Sequence, residues 1–139
     1  MQIGIYFGKE MGKRILKTEW LHDVDLLVPI PLHRNKELER GYNQSRVLCE
    51  GISEETRLPI SNILRKPTSG KGATKGNRME RMNSRKIEFQ IVNQFPPNVN
   101  HILIVDDVIT TGATLESAIT VISKEFHGKI SVVSIAHTF

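Results

Sequence analysis

"HILIVDDVITTGATLESAI", residues 101–119, decides the fold. An apolar run over 102–105 leads into two adjacent carboxylates, Asp106 and Asp107, and then into small and hydroxyl-bearing residues before a helical pattern begins. A run apolar on both faces suits a central parallel strand, because helices cover both of its sides. Beyond it Leu115, Ala118, Ile119, Ile122 and Phe126 keep the spacing of a helix over 115–126, and Gly128 is its expected stop. "KISVVSIA" (129–136) is a further strand, so the C-terminal half is a β-α-β unit with a right-handed crossover. The expected fold class is α/β: a mainly parallel twisted sheet flanked by helices.

Upstream, Phe7, Met11 and Ile15 at helical spacing predict a helix over 5–18. "DLLVPIPL" (25–32) is an apolar strand turning into a loop at its prolines, and that loop is expected to run over 33–41. A second helix is expected from Asn43, a candidate N-cap, to about residue 54. Residues 65–86 show no apolar periodicity and carry three glycines, so they read as one long mobile loop. Ile87, Phe89 and Ile91 alternate as in a strand with one buried face.

The totals bound the class. A chain of 139 residues is most simply one domain, 1–139, able to bury a self-sufficient core. With 39% apolar and 24% charged residues it reads as an ordinary globular chain, and no stretch approaches the ~18 apolar residues of a membrane span. Lys9 and Glu10 stand where a signal peptide needs its apolar block, so a cytoplasmic location is expected. The lone Cys49 is read as a buried small hydrophobe. Residues 65–86 hold eight basic residues against Glu80, a charge of +7, while the remainder, with 11 basic and 14 acidic residues, is −3. A basic segment on a mildly acidic body suits contact with an anion: a nucleotide, a pyrophosphate or a nucleic-acid backbone.

In open α/β sheets the ligand crevice lies beyond the carboxyl ends of the strands, where Asp106 and Asp107 are expected. Side-chain alternation sends their carboxylates to different sides. The loop after them delivers backbone N–H groups at a helix N-terminus, Gly112 and Ala113 admit close approach, and Thr110, Thr111 and Thr114 add hydroxyls. Such a turn can hold a phosphate at one end and sugar hydroxyls or a metal at the other. The plain structural reading stays open beside it, since Thr111 or Thr114 can equally be an N-cap in any α/β protein. Neither a Walker loop nor a G-x-G-x-x-G loop occurs.

"ILIVDDVITTGAT" resembles the phosphoribosyl pyrophosphate (PRPP) signature of type I phosphoribosyltransferases, and "VPIPLHRNKELERGYNQ" is similar to that of the ComF (GntX-like) competence-protein family. The resemblance implies a phosphoribosyltransferase that binds PRPP or a ribose-phosphate nucleotide with Mg²⁺. Asp106 and Asp107 would contact the ribose hydroxyls and, through them, the metal, while residues 110–114 would hold the 5-phosphate. His33, Arg34 and Lys36 would serve the pyrophosphate, with a solvated basic turn as the plain alternative. "TKGNRMER" resembles the family's T-x-x-x-R-x-x-R pattern, which would make 65–86 a flexible hood loop with Thr74, Lys75, Arg78 and Arg81 as its candidates, ordinary disorder being the plain alternative. Ala73 stands where many relatives have Gln. Relatives often carry an N-terminal cysteine-rich zinc module, and zinc is not expected here. The competing function is a non-catalytic nucleotide-binding factor acting on single-stranded DNA or with competence-machinery proteins. Few aromatics (6%) and none over 43–88 are available to stack bases. A homodimer would be normal for the class; the acceptor is not legible.

Overall fold

A computed structural model describes residues 2–32, 34–67 and 89–138. Its centre is a parallel sheet of three strands in the order β1 (Leu26–Pro29), β4 (His101–Ile109), β5 (Lys129–His137). Segment 59–61 lies along the free edge of β1, where Leu27 donates to the Pro59 carbonyl and accepts from Ser61 N–H. A short antiparallel pair, β2 (Leu64–Arg65) with β3 (Gln90–Ile91), stands apart from it.

Alternation along β4 builds two cores. Ile102 and Ile104 pack with Leu115, Ala118 and Ile122 of α4 (Ala113–Ser123). Leu103 and Val105 pack on the opposite face with Leu48, Cys49 and Ile52 of α3 (Gln44–Thr56) and Ile15 of α1 (Gln2–Leu16). The two-faced apolar run therefore is the central strand, as its pattern predicts. Cys49 is fully buried, and burial pushes its thiol well above the usual range.

Several expected boundaries move. Helix α1 starts earlier and ends sooner than 5–18, and its buried face is Gly8, Gly12 and Ile15 rather than Phe7, which is 42% exposed. Close approach decides this. A Cβ on Gly8 would lie 2.4 Å from the Leu48 carbonyl oxygen, and one on Gly51 2.4 Å from that of Ile5, so the α1 and α3 backbones touch where side chains would hold them apart. The supposed loop over 33–41 is instead a helix, α2 (Arg34–Arg40). Its Lys, Glu, Leu and Arg are good helix formers, and Gly41 at φ 80° closes it by donating to the Glu37 carbonyl. Helix α4 begins at Ala113 and ends at Ser123, so Phe126 lies in the following turn. Gly128 does not stop the helix; a Cβ there would lie 2.3 Å from the Asn100 carbonyl oxygen. Phe89 is buried and Gln90–Ile91 is strand, in keeping with the alternation read there, while Ile87 lies outside the described residues. Among the described residues no helix is long and apolar enough to cross a membrane.

Candidate functional site

The strand carrying the acid pair is longer than expected. It continues through Asp106 and Asp107 to Ile109, because β-branched Val108 and Ile109 still pair with Ala136 and His137 of β5. A crevice forms nonetheless. Strand β1 stops at Pro29 opposite Val105, and the last bond between them runs from Ile30 N–H to the Val105 carbonyl. Among the described residues, β4 from Asp106 onward has a strand neighbour on one side only.

Asp106 is 7% exposed. One carboxylate oxygen accepts the Asp107 amide at 2.9 Å. Burial, followed by the proximity of the Asp107 carboxylate, pushes its pKa up to about 6, while the Asp107 amide and the Ser45 hydroxyl pull the other way. Asp107 turns one oxygen onto the Val108 amide at 2.8 Å. The two acids border different hollows, as alternation predicts. Asp106 borders a notch of about 20 Å³ with Thr110, Gly112, Thr114 and Leu115, whereas Asp107 borders a groove with Tyr42, Gln44 and Ile3.

The turn over 110–114 faces solvent, with Thr110, Thr111 and Ala113 exposed and Gly112 and Thr114 half-buried. Gly112 sits at the N-cap with φ 82°, and among the described residues nothing lies within 4 Å of where its Cβ would be. Glycine is required there by conformation, and among the described residues the space where a Cβ would stand is open. The first intrahelical bond runs from Glu116 N–H to the Gly112 carbonyl at 2.9 Å, so the amides of the turn before it need acceptors from outside the helix. The Thr111 hydroxyl takes one, that of Ala113, at 3.3 Å. Thr111 therefore does act as a local cap, and the capping alternative holds for that residue. The notch is too small to enclose a phosphate; a ligand would lie across the turn.

Two of the remaining candidates lie among the described residues. Arg34 and Lys36 belong to α2, with Lys36 exposed, so they are helical residues rather than members of a basic loop. His33, Thr74, Lys75, Arg78 and Arg81 lie outside the described residues. Among the described residues no group of three or more His, Cys, Asp or Glu side chains could hold a metal ion by itself. A divalent cation at Asp106 and Asp107 would need oxygens from the ligand, which fits Mg²⁺ with its preference for few carboxylates plus phosphate, hydroxyl and water.

One contributor, Ser45, and one contact of Asn43 are not read from the sequence. Ser45 is 4% exposed and sits against Asp106. Asn43 caps α3 by accepting from Ser45 N–H (2.9 Å) and Arg46 N–H (3.3 Å), and its amide also donates to the Ile30 carbonyl at 3.2 Å, tying that helix to the end of β1. The cap is the expected one; its second bond is new. The available signal was Asn-x-Ser following a strand-terminating Pro-x-Pro.

No protein-family model matches the chain. Among curated proteins, it is 38% identical over 93 residues to competence protein ComFC of Bacillus subtilis, covering 67% of this chain and 36% of that protein. It is 30% identical over 115 residues to competence protein F of Haemophilus influenzae, covering 80% and 48%. The chain thus spans less than half the length of these relatives. Among solved structures, the glutamine PRPP amidotransferase of B. subtilis complexed with ADP and GMP superposes with a TM-score of 0.59 at 19% identity, over 92% of this chain and 26% of that one. A hypoxanthine phosphoribosyltransferase from Staphylococcus aureus superposes with a TM-score of 0.55 at 18% identity, over 99% and 65%. At such identities the superpositions show a shared fold.

Proposed function

The chain belongs to the ComF competence-protein family and has the type I phosphoribosyltransferase fold, and from that premise we propose that the turn after β4 binds PRPP, or a nucleotide carrying the same ribose phosphate, together with Mg²⁺. One observation carries this reading. An exposed helix-initiating turn, with no described residue within 4 Å of a Cβ at Gly112, stands directly after a carboxylate kept at the strand end in spite of burial.

In this reading the 5-phosphate lies across residues 110–114, on amides at the α4 N-terminus and on the Thr110 and Thr114 hydroxyls. Asp106 and Asp107 accept from the ribose hydroxyls. Mg²⁺, when bound, would offset charge on the pyrophosphate oxygens. The protein's own part is positioning: fixing phosphate and sugar leaves C1 as the atom still able to move toward an attacking acceptor as pyrophosphate departs. Residues His33, Arg34 and Lys36 are proposed to face the pyrophosphate, and Thr74, Lys75, Arg78 and Arg81 to close over it.

Titration calorimetry with PRPP and Mg²⁺ tests the proposal. Binding that disappears in an Asp106→Ala, Asp107→Ala double variant supports it, and binding that is absent or indifferent to the double variant refutes it. The second reading, a non-catalytic factor that holds single-stranded DNA, is favoured by the +7 charge of residues 65–86. It requires DNA affinity that falls steeply with salt.

A further inference from the structure

A third hollow lies alongside the end of β1. A cavity of about 630 Å³ opens between the end of β1, α2, the first turn of α3 and β2, within the size range of small-molecule sites. Its apolar part is Pro29, Pro31, Leu32 and Leu64. Among the described residues its charged part is Arg46, Arg65 and Lys66 with the carboxylate of Glu37.

The two guanidiniums are held in place. Arg46 donates to the Asn62 side-chain oxygen at 3.0 Å and lies 3.5 Å from the Glu50 carboxylate, and Arg65 donates to the Gln90 side-chain oxygen at 2.9 Å. Each contact uses part of a fork of five donors, so direction is fixed while donors remain. Apolar proline and leucine side chains beside oriented cations suit a heterocyclic ring with an acidic substituent better than they suit either a neutral base or a bare anion.

The cavity adjoins the proposed ribose-phosphate site without sharing its residues. Asn43 and Arg46 line it, and Ser45 between them sits against Asp106. Pro29 and Pro31 line it, and Ile30 between them is bonded to Val105, the residue before Asp106.

We infer that this cavity takes the acceptor, and that the acceptor is a planar heterocycle bearing an acidic group, an assignment that rests on the phosphoribosyl-transfer reading. A ring nitrogen would give its lone pair to C1 as the C1–O bond breaks. Pyrophosphate leaves with that bond's electrons, and the ring N–H proton, where the ring carries one, goes to water.

Matched probes test the class. Orotate against uracil, and nicotinate against nicotinamide, differ mainly in the acidic group, and each is titrated into the protein with and without PRPP and Mg²⁺. The expected result is at least tenfold tighter binding of one acid than of its neutral partner. That preference should be lost in an Arg46→Gln, Arg65→Gln variant and retained in the corresponding lysine variant. Urea unfolding of both variants checks that they fold. Equal or absent binding of acids and neutral partners in the wild-type chain, or a preference indifferent to the glutamine substitutions, overturns the assignment. PRPP binding in the same samples separates the two claims. Its absence refutes the transfer reading and the acceptor role with it, whereas a chain that binds PRPP but shows no acid preference refutes only the cavity assignment.

Discussion

Replacing Asp106 by Asn should stabilise the protein while removing its proposed sugar contact. A carboxyl lifted from its ordinary 3.8 to about 6 has an ionised form that the folded state disfavours. At 1.36 kcal/mol per pH unit the ceiling is about 3 kcal/mol, and with part of the shift owed to Asp107 an effect of roughly 1–3 kcal/mol is expected. The sign follows from proton binding. The folded chain holds this proton more tightly than the unfolded chain, so the cost is absent below pH 3.8, grows as pH rises toward 6 and is complete above it. The carboxamide introduced by Asp106→Asn can still accept from the Asp107 amide and carries no charge. Urea unfolding at pH 8 should therefore show a higher midpoint for Asp106→Asn at an unchanged m-value, and at pH 4 the two proteins should nearly coincide. Equal destabilisation at both pH values would refute the argument, since the carboxylate would then be a net stabilising partner. The combination of greater stability and lost ligand binding would mark a group kept for its chemistry at the expense of the fold.

Gly51→Ala should cost about 1–3 kcal/mol in spite of the better helix former, because the new methyl meets the Ile5 carbonyl at 2.4 Å; a double variant with Gly8→Ala should be less than additive, both changes opening the same crossing. Asn43→Ala should lower stability by about 1–2 kcal/mol in thermal unfolding, as it removes the α3 cap and the bond to Ile30. Asp23 is held down to about 2 by hydrogen bonds from His101 and then Lys129. Its contribution is complete above pH 3.8 and fades as pH falls through about 2, so a stability gap between wild type and Asp23→Asn at pH 7 should close in acid, and a gap that persists would refute the linkage.

The central strand, the α4 pattern and the acid pair were legible because each is a local signal: two-faced apolarity, a 3.6-residue period, and charge next to small residues. What was not legible depends on pairing between distant segments. The step between β1 and β4 that ends their pairing just before Asp106 follows from where Pro29 ends its ladder, which no window around residue 106 contains. The α1 face differs from its apolar pattern because a helix crossing through glycine buries its smallest residues, and an apolar count then favours Phe7 and Met11 next to them. Helix α2 was hidden because the prolines before it and Gly41 after it read as loop punctuation, although the seven residues between are sound helix formers. Ser45 joined the site through the entry angle of α3, which the bond from Asn43 to Ile30 sets.

Strand β4 is anchored at its root and, among the described residues, has no strand partner along one side at its tip. At the root, His101 is bonded to Asp23 at 2.8 Å and Ser131 at 2.7 Å, and the Asp25 carboxylate takes the amides of Asn100 and His101. The tip bearing the acids stands about 16 Å away, at roughly 3.3 Å per residue. Such a cantilever confines adjustment to its outer end, so a ligand settling on the turn need not disturb the joint between the two cores.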